Sequence, residues 1–328
     1  MPDLRCGLVG MGQMGRHHAR VLSALPGVEF VGIAEPGPMP SSPRYDATVV
    51  PDVDELIKLG IDIAVVAVPT AAHEDVALRL AESGVHALIE KPVASDVETA
   101  LRMANAFEAA GLVGCVGHIE RFNPALQELR RRLFEGELGE IYQVATRRQG
   151  PFPGRIADVG VVLDLATHDV DLTSWVTRQR YVSLSARTAN RSGREHEDLV
   201  AAVGSLSDGT VVNHLVNWLS PLKERVTVVT GDRGAFVADT LAADLTFFAN
   251  GLTPVQWDTL ASFRGVVEGD VTRYAITKRE PLLTELEAFR DAVCGTSDRV
   301  VHLKEAAQAV AVASALLRSA ASGETAKP

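Results

Sequence analysis

The chain has 328 residues, too many for one ordinary core and enough for two domains. With 46% hydrophobic and 23% charged residues it reads as globular, and a net charge of −10 disfavours nucleic acid as a general partner, since phosphate binding needs a basic surface. Cys6, Cys115 and Cys294 lie far apart with no C-x-x-C pair, which argues against a disulfide framework or a zinc site. No apolar run reaches 18 residues and no signal-peptide pattern opens the chain, so a cytoplasmic protein without a membrane span is expected.

The first third alternates short β-branched runs with helical patterns. Strands are expected at Arg5–Val9, Phe30–Ala34, Ile61–Ala67, Ala87–Ile89 and Val113–Val116, with helices at Gly15–Ala24, Val53–Leu59, Glu74–Ser83 and Val97–Ala110. That alternation predicts an α/β domain with a doubly wound parallel sheet over residues 1–120. The first strand runs into G-x-G-x-x-G and then a helix, the context in which this motif holds a dinucleotide. Gly10 suits the tight turn, Gly12 lets the backbone approach a pyrophosphate, and Gly15 lets helix and strand pack closely. Met11, Gln13 and Met14 complete the turn, whose N–H groups face the phosphates.

Glu35 ends the second strand, where a carboxylate accepts hydrogen bonds from a ribose diol and repels a 2′-phosphate. This favours NAD. Arg44, beyond a proline-rich stretch that excludes a regular helix, keeps NADP open. Pro69, Thr70 and His73 mark another strand-to-helix turn at the cofactor edge of the sheet, although a lone histidine there is more often an ordinary surface residue. Glu90-Lys91-Pro92 ends a further strand, and the proline holds Lys91 out of helical geometry.

Beyond about residue 140 the texture changes to successive strand-like runs with turn signals such as Asp208-Gly209, closed by helical patterns at Leu283–Cys294 and Leu303–Ala320. Residues 121–328 are expected to form an α+β domain around a mainly antiparallel sheet. Within it, DVGVVLDLATHDVDL (158–172) sets three carboxylates and an imidazole beside an apolar run, which reads as a buried strand or loop delivering a helix start. Asp164 and His168, four residues apart, share a helix face. Oxidising a secondary alcohol requires a base within reach of the hydroxyl, and a carboxylate beside an imidazole can orient it. His168 is the candidate base, Asp164 its orienting partner, and Lys91 the group that stabilises charge on the reacting oxygen. Arg147, Arg148 and Arg155, around the GPFPGR loop, suit a diphosphate, with solvated arginines as the plain alternative. Asp169 and Asp171 have no assigned role. No H-x-x-x-H or H-E-x-x-H pattern suggests a metal.

In their order and spacing, Gly10-x-Gly12-x-x-Gly15, Glu90-Lys91-Pro92 and Asp164-x-x-x-His168 resemble the Gfo/Idh/MocA oxidoreductase family over nearly the whole chain. The resemblance implies that Lys91, Asp164 and His168 lie beside the nicotinamide, that the Lys91–Pro92 bond is cis, and that the sheet of residues 121–328 is open, binds substrate and builds homodimers or homotetramers. It also implies that Arg121 and Asn123, at the junction between domains, touch cofactor or substrate. The segments 117–126, 147–172 and 217–241 are similar to the branch that includes UDP-N-acetylglucosamine 3-dehydrogenases. The expected activity is oxidation of a sugar hydroxyl, most specifically C3 of a UDP-N-acetylhexosamine. An inositol or free-sugar dehydrogenase, an NAD-dependent glycosidase and a non-catalytic dinucleotide-binding protein stand as alternatives.

Overall fold

The computed structural model describes residues 3–37, 45–154, 159–251 and 267–328. The chain divides into two compact units, residues 1–122 with 280–311 and residues 123–279 with 312–328. Among the described residues no helix is long and apolar enough to cross a membrane.

The first unit holds six parallel strands: β1 (Leu4–Val9), β2 (Val28–Ala34), β3 (Thr48–Val50), β4 (Ile63–Val66), β5 (His86–Ile89) and β6 (Gly114–Val116), in the order β3-β2-β1-β4-β5-β6. The order reverses between β1 and β4, and in such sheets ligands bind outside the carboxyl ends at that point. Period-2 alternation sends Leu8 and Ile33 to one face and Val9 and Ala34 to the other. Helix α1 (Gln13–Leu22) covers the first face, and α2 (Val53–Lys58), α3 (His73–Glu82) and α4 (Val97–Ala109) cover the second. Asp52 and Asp96 cap α2 and α4 by accepting from the N–H groups of Glu55 and Thr99.

The C-terminal helices correct the expected division at residue 120. Helix α7 (Pro281–Val293) lays Leu282, Leu286 and Phe289 into the core beneath α1. Helix α8 (Leu303–Ser322) adds Leu303, Ala306 and Val310 to the opposite face. Each fully buried Leu or Phe contributes about 1.5–3 kcal/mol. An apolar stripe at helical spacing therefore recruits the end of the chain to the sheet at its start.

The second unit begins with α5 (Pro124–Phe134), which the sequence reading passed over. Its sheet contains β7 (Ile141–Pro151), β8 (Tyr181–Ala189), β9 (Leu199–Leu206), β10 (Val211–Asn217), β11 (Leu219–Gly231), β12 (Gly234–Asp239), β13 (Asp244–Gly251) and β14 (Val267–Arg273), in the order β14-β13-β12-β11-β7-β10-β9-β8. Only the β7–β10 pair is parallel among these. The register places Val144, Thr146, Arg148, Val212, His214, Val229 and Phe236 on the covered face. Val203, Val211, Phe248 and Val271 lie on the other and are 44–60% exposed. The apolar run before Asp164 is not a strand. A π-helical turn spans Val162–Ala166 and continues directly into α6 (Thr167–Thr177).

Candidate active site

In the first unit the glycine turn follows β1 as the motif requires. Gly10 has φ +95°, and a Cβ there would sit 2.6 Å from the Ala67 carbonyl oxygen. A Cβ on Gly15 would meet the Gly10 carbonyl oxygen at 2.0 Å, so only glycine lets α1 pack this close to β1. Gly12 faces open space, with nothing within 4 Å of the Cβ position. It is the N-cap of α1, and no side chain caps that helix. An open approach to uncapped N–H groups fits a dinucleotide pyrophosphate.

Glu35, just beyond β2, frames the same turn. Its Oε2 accepts from the Met11 N–H at 2.7 Å and its Oε1 from the Gly37 N–H at 2.9 Å. Each carboxylate oxygen keeps a lone pair for a ribose hydroxyl. Arg44 lies outside the described residues. Pro69 precedes a short 3-10 turn, Thr70–Ala72, that opens α3. His73 is not a surface residue. It is 1% exposed, and its ring nitrogens stand 3.1 and 3.0 Å from the Val93 and Val68 carbonyl oxygens. The ring ties the loop after β4 to the loop that carries Lys91, and burial lowers its pKa.

Lys91 is partly exposed, and the Lys91–Pro92 bond is cis. The preceding Glu90 is buried and accepts from His18 Nε2 at 2.8 Å and from the Lys91 N–H at 3.2 Å. Burial pushes the Glu90 carboxyl up, but the His18 hydrogen bond and the nearby charges of His18 and Lys91 outweigh it, and the pKa lies below the ordinary value. His18, read from sequence as packing or surface, thus anchors the acid beside Lys91. Arg121 also turns inward. It is 6% exposed and pairs with Glu305 of α8 at 2.8 Å.

In the second unit Asp164 sits on the π-helical turn and His168 on the first turn of α6, 5% and 7% exposed. Both are therefore withdrawn from bulk water on one continuous helical segment, where hydrogen bonds and charge act more strongly. Asp169 and Asp171, one helix position and three positions on, are also buried. Asp169 accepts from Arg148 Nε at 2.7 Å and from the Thr146 hydroxyl at 3.1 Å. Thr146 Oγ1 also lies 2.7 Å from His214 Nδ1, and the Tyr181 hydroxyl lies 2.8 Å from His214 Nε2.

Arg148, expected from the sequence to meet substrate, is engaged within the second unit. The residue points to the covered face of β7 and braces α6 against the sheet through Asp169. Arg147 points the other way, 57% exposed and paired with Glu224 at 2.6 Å. Arg155 lies outside the described residues. Asn123, also expected to meet a ligand, is likewise engaged within the second unit. Its Oδ1 accepts from the Ala125 N–H at the start of α5, and its Nδ2 donates to the Thr240 carbonyl at 3.0 Å. Both ends of the amide are engaged in structure. The Asn-Pro pair at a helix start was a readable capping signal. Trp218, 4% exposed, packs edge-on to Phe152.

Two family models match the chain: an oxidoreductase family with an NAD-binding Rossmann fold over residues 4–118, and the GFO/IDH/MocA C-terminal domain over residues 126–237. A UDP-N-acetylglucosamine 3-dehydrogenase of Acidithiobacillus ferrooxidans is 31% identical over 298 residues, 89% of this chain and 90% of that protein. The chain belongs to the Gfo/Idh/MocA oxidoreductase family. It is an NAD-dependent dehydrogenase. A myo-inositol dehydrogenase of Streptomyces leeuwenhoekii is 30% identical, covering 96% of this chain and 97% of its own. The solved structure of the Acidithiobacillus ferrooxidans UDP-N-acetylglucosamine 3-dehydrogenase superposes with a TM-score of 0.81 at 26% identity, covering 97% of this chain and 98% of that one. The glycine turn, Lys91, Asp164 and His168 of this chain all fall within the regions the two models match.

Proposed function

We propose that the protein oxidises a secondary hydroxyl of a nucleotide sugar, most specifically C3 of a UDP-N-acetylhexosamine, with Lys91, Asp164 and His168 as its catalytic residues. The observation that carries the reading is the joint burial of Asp164 and His168 on one helical segment. The full-length likeness to a UDP-N-acetylglucosamine 3-dehydrogenase supports the substrate class.

Bound NAD supplies the hydride acceptor. His168 takes the hydroxyl proton as the C–H hydride departs, so the alcohol becomes a ketone. Lys91 donates a hydrogen bond to the reacting oxygen and stabilises the negative charge that grows on it. Asp164 orients the imidazole and accepts from a neighbouring sugar hydroxyl. The Gly10–Gly15 turn holds the pyrophosphate, and Glu35 holds the adenosine ribose and opposes a 2′-phosphate.

The similar full-length match to a myo-inositol dehydrogenase favours a second reading, in which the substrate is a free polyol. An NADH absorbance assay over UDP- and dTDP-sugars, with myo-inositol and glucose alongside, separates the two. Activity confined to the free polyols would sink the nucleotide-sugar reading. His168→Ala is expected to lower kcat by about 10²–10⁴ with NAD binding intact. The exposed apolar residues Val203, Val211, Phe248 and Val271 on one sheet face also support self-association. Val203→Glu should shift a dimer or tetramer toward monomer in light scattering.

A further inference from the structure

We infer that Glu197 is a positioning residue for the Asp164/His168 pair, acting through the backbone of the π-helical turn; the inference rests on the catalytic reading of that pair. The start of this helical segment has no side-chain cap from its own residues. Its free N–H groups are met from a distant loop. The Glu197 carbonyl oxygen accepts from the Val161 N–H at 2.9 Å, and Glu197 Oε1 accepts from the Val162 N–H at 3.0 Å. The Asp164 N–H in turn donates to the Gly160 carbonyl at 3.0 Å. A carboxylate set against the first N–H groups of a helix satisfies donors that would otherwise be orphaned and complements the helix dipole.

Two features show that the fit is close. A Cβ on Gly160 would lie 2.1–2.2 Å from all three atoms of the Glu197 carboxylate, so glycine at 160 leaves the space that the carboxylate fills. The loop bearing Glu197 is itself fastened. Asp198 Oδ2 accepts from the Arg191 and Ser192 N–H groups at 2.8 and 2.6 Å, and the Asp198 carbonyl accepts from the Trp218 N–H at 2.9 Å. The Arg194 guanidinium lies over the Phe152 ring at 3.9 Å. Glu197 therefore grips the turn from a fixed support.

The consequence is geometric. A π-helical turn carries more residues per turn than an α-helix and occurs mostly as a single turn within one. Releasing the Val162 N–H lets the turn rewind toward α. Over the same four residues an α-helix turns about 40° past a full circle, whereas the wider π turn stops short of one, so rewinding displaces Asp164 sideways relative to His168. The pair then no longer meets one hydroxyl.

The test uses the full-length enzyme with NAD and whichever of UDP-N-acetylglucosamine or myo-inositol the wild type turns over faster. Glu197→Ala should lower kcat about a hundredfold, as a misplaced catalytic group does, and leave the Kd for NAD unchanged. Glu197→Gln, whose amide oxygen still accepts from Val162, should recover most of that loss. Gly160→Ala should reproduce Glu197→Ala by displacing the carboxylate, and the Gly160→Ala/Glu197→Ala double variant should be no worse than either single one. That non-additivity and the glutamine rescue hold in variants that keep the acceptor or the loop, so they read positioning even if Glu197→Ala folds poorly. Full turnover by Glu197→Ala beside an inactive His168→Ala would overturn this inference alone, as would multiplicative losses in the double variant. Full turnover by His168→Ala would overturn the catalytic reading and this inference with it.

Discussion

Arg148 Nε and Asp169 Oδ1 meet at 2.7 Å, and both side chains are almost wholly withdrawn from water, at 3% and 2% exposure. Their pairing fixes the face of α6 that follows His168. Removing one partner takes this ion pair away from a charge that stays buried. Asp169→Ala should therefore cost about 3–5 kcal/mol, read as a lower urea midpoint at unchanged slope. Replacing both residues together with apolar ones of similar volume should restore much of that loss. An Asp169→Ala variant as stable as wild type would mean that the pair does not brace the helix.

His214, in the same buried chain, gives that unit a response to acid. Burial pushes its pKa down to about 4, and the charge of Asp169 only partly offsets this. The unfolded chain gains a proton on this histidine near pH 6.5, which the native chain refuses until about pH 4. A depressed native pKa contributes stability that is present above the unfolded value and lost as pH falls. Stability should decline by about 3 kcal/mol between pH 6.5 and 4 on this account. His214→Gln should flatten that part of the curve in chemical denaturation. An unchanged slope would show that the imidazole is protonated in the native state.

Local rules were legible in the sequence and partners distant in the chain were not. Gly10, Gly12 and Gly15 occupy the positions assigned to them because their roles are steric and set by neighbouring backbone. Strand alternation put Arg147 and Arg148 on opposite faces of β7, but nothing in the pattern says which face α6 covers. Asp169 looked unemployed because Arg148 stands 21 residues away. Glu197 is still less visible, since it reaches Val162 across 35 residues with no local signature. The return of α7 to the first sheet is a matter of tertiary burial by Leu282, Leu286 and Phe289, which periodicity cannot assign to one core or another.

Glu285 on α7 should act on stability in the opposite sense to His214. It is 2% exposed, and neither carboxyl oxygen finds a hydrogen-bond partner among the described residues. Burial, and then the charge of Glu90, push its pKa well above the ordinary value. From the usual carboxyl range up to that raised value, the unfolded chain has lost a proton that the native chain keeps. Stability then falls as pH rises, at about 1.4 kcal/mol per pH unit. Glu285→Gln keeps the shape without the titration, so the variant should gain on wild type progressively above about pH 5. A constant difference across pH 5–8 would show that Glu285 is already ionised in the fold.

Glu35 should decide between the two nicotinamide cofactors. Its carboxylate, tethered by the Met11 and Gly37 N–H groups, stands at the end of β2 with its charge fixed in place. A 2′-phosphate brought there meets like charge with no rotamer left to relieve it. Glu35→Gln keeps an acceptor for one of the two backbone groups and removes the repulsion. The ratio of kcat/KM for NAD to that for NADP should fall by about tenfold or more, equivalent to about 1.4 kcal/mol, with most of the change in KM. Because the substitution leaves Lys91 and His168 untouched, kcat at saturating NAD should stay close to wild type. A preserved preference for NAD in Glu35→Gln would place the discrimination elsewhere on the cofactor edge of the sheet.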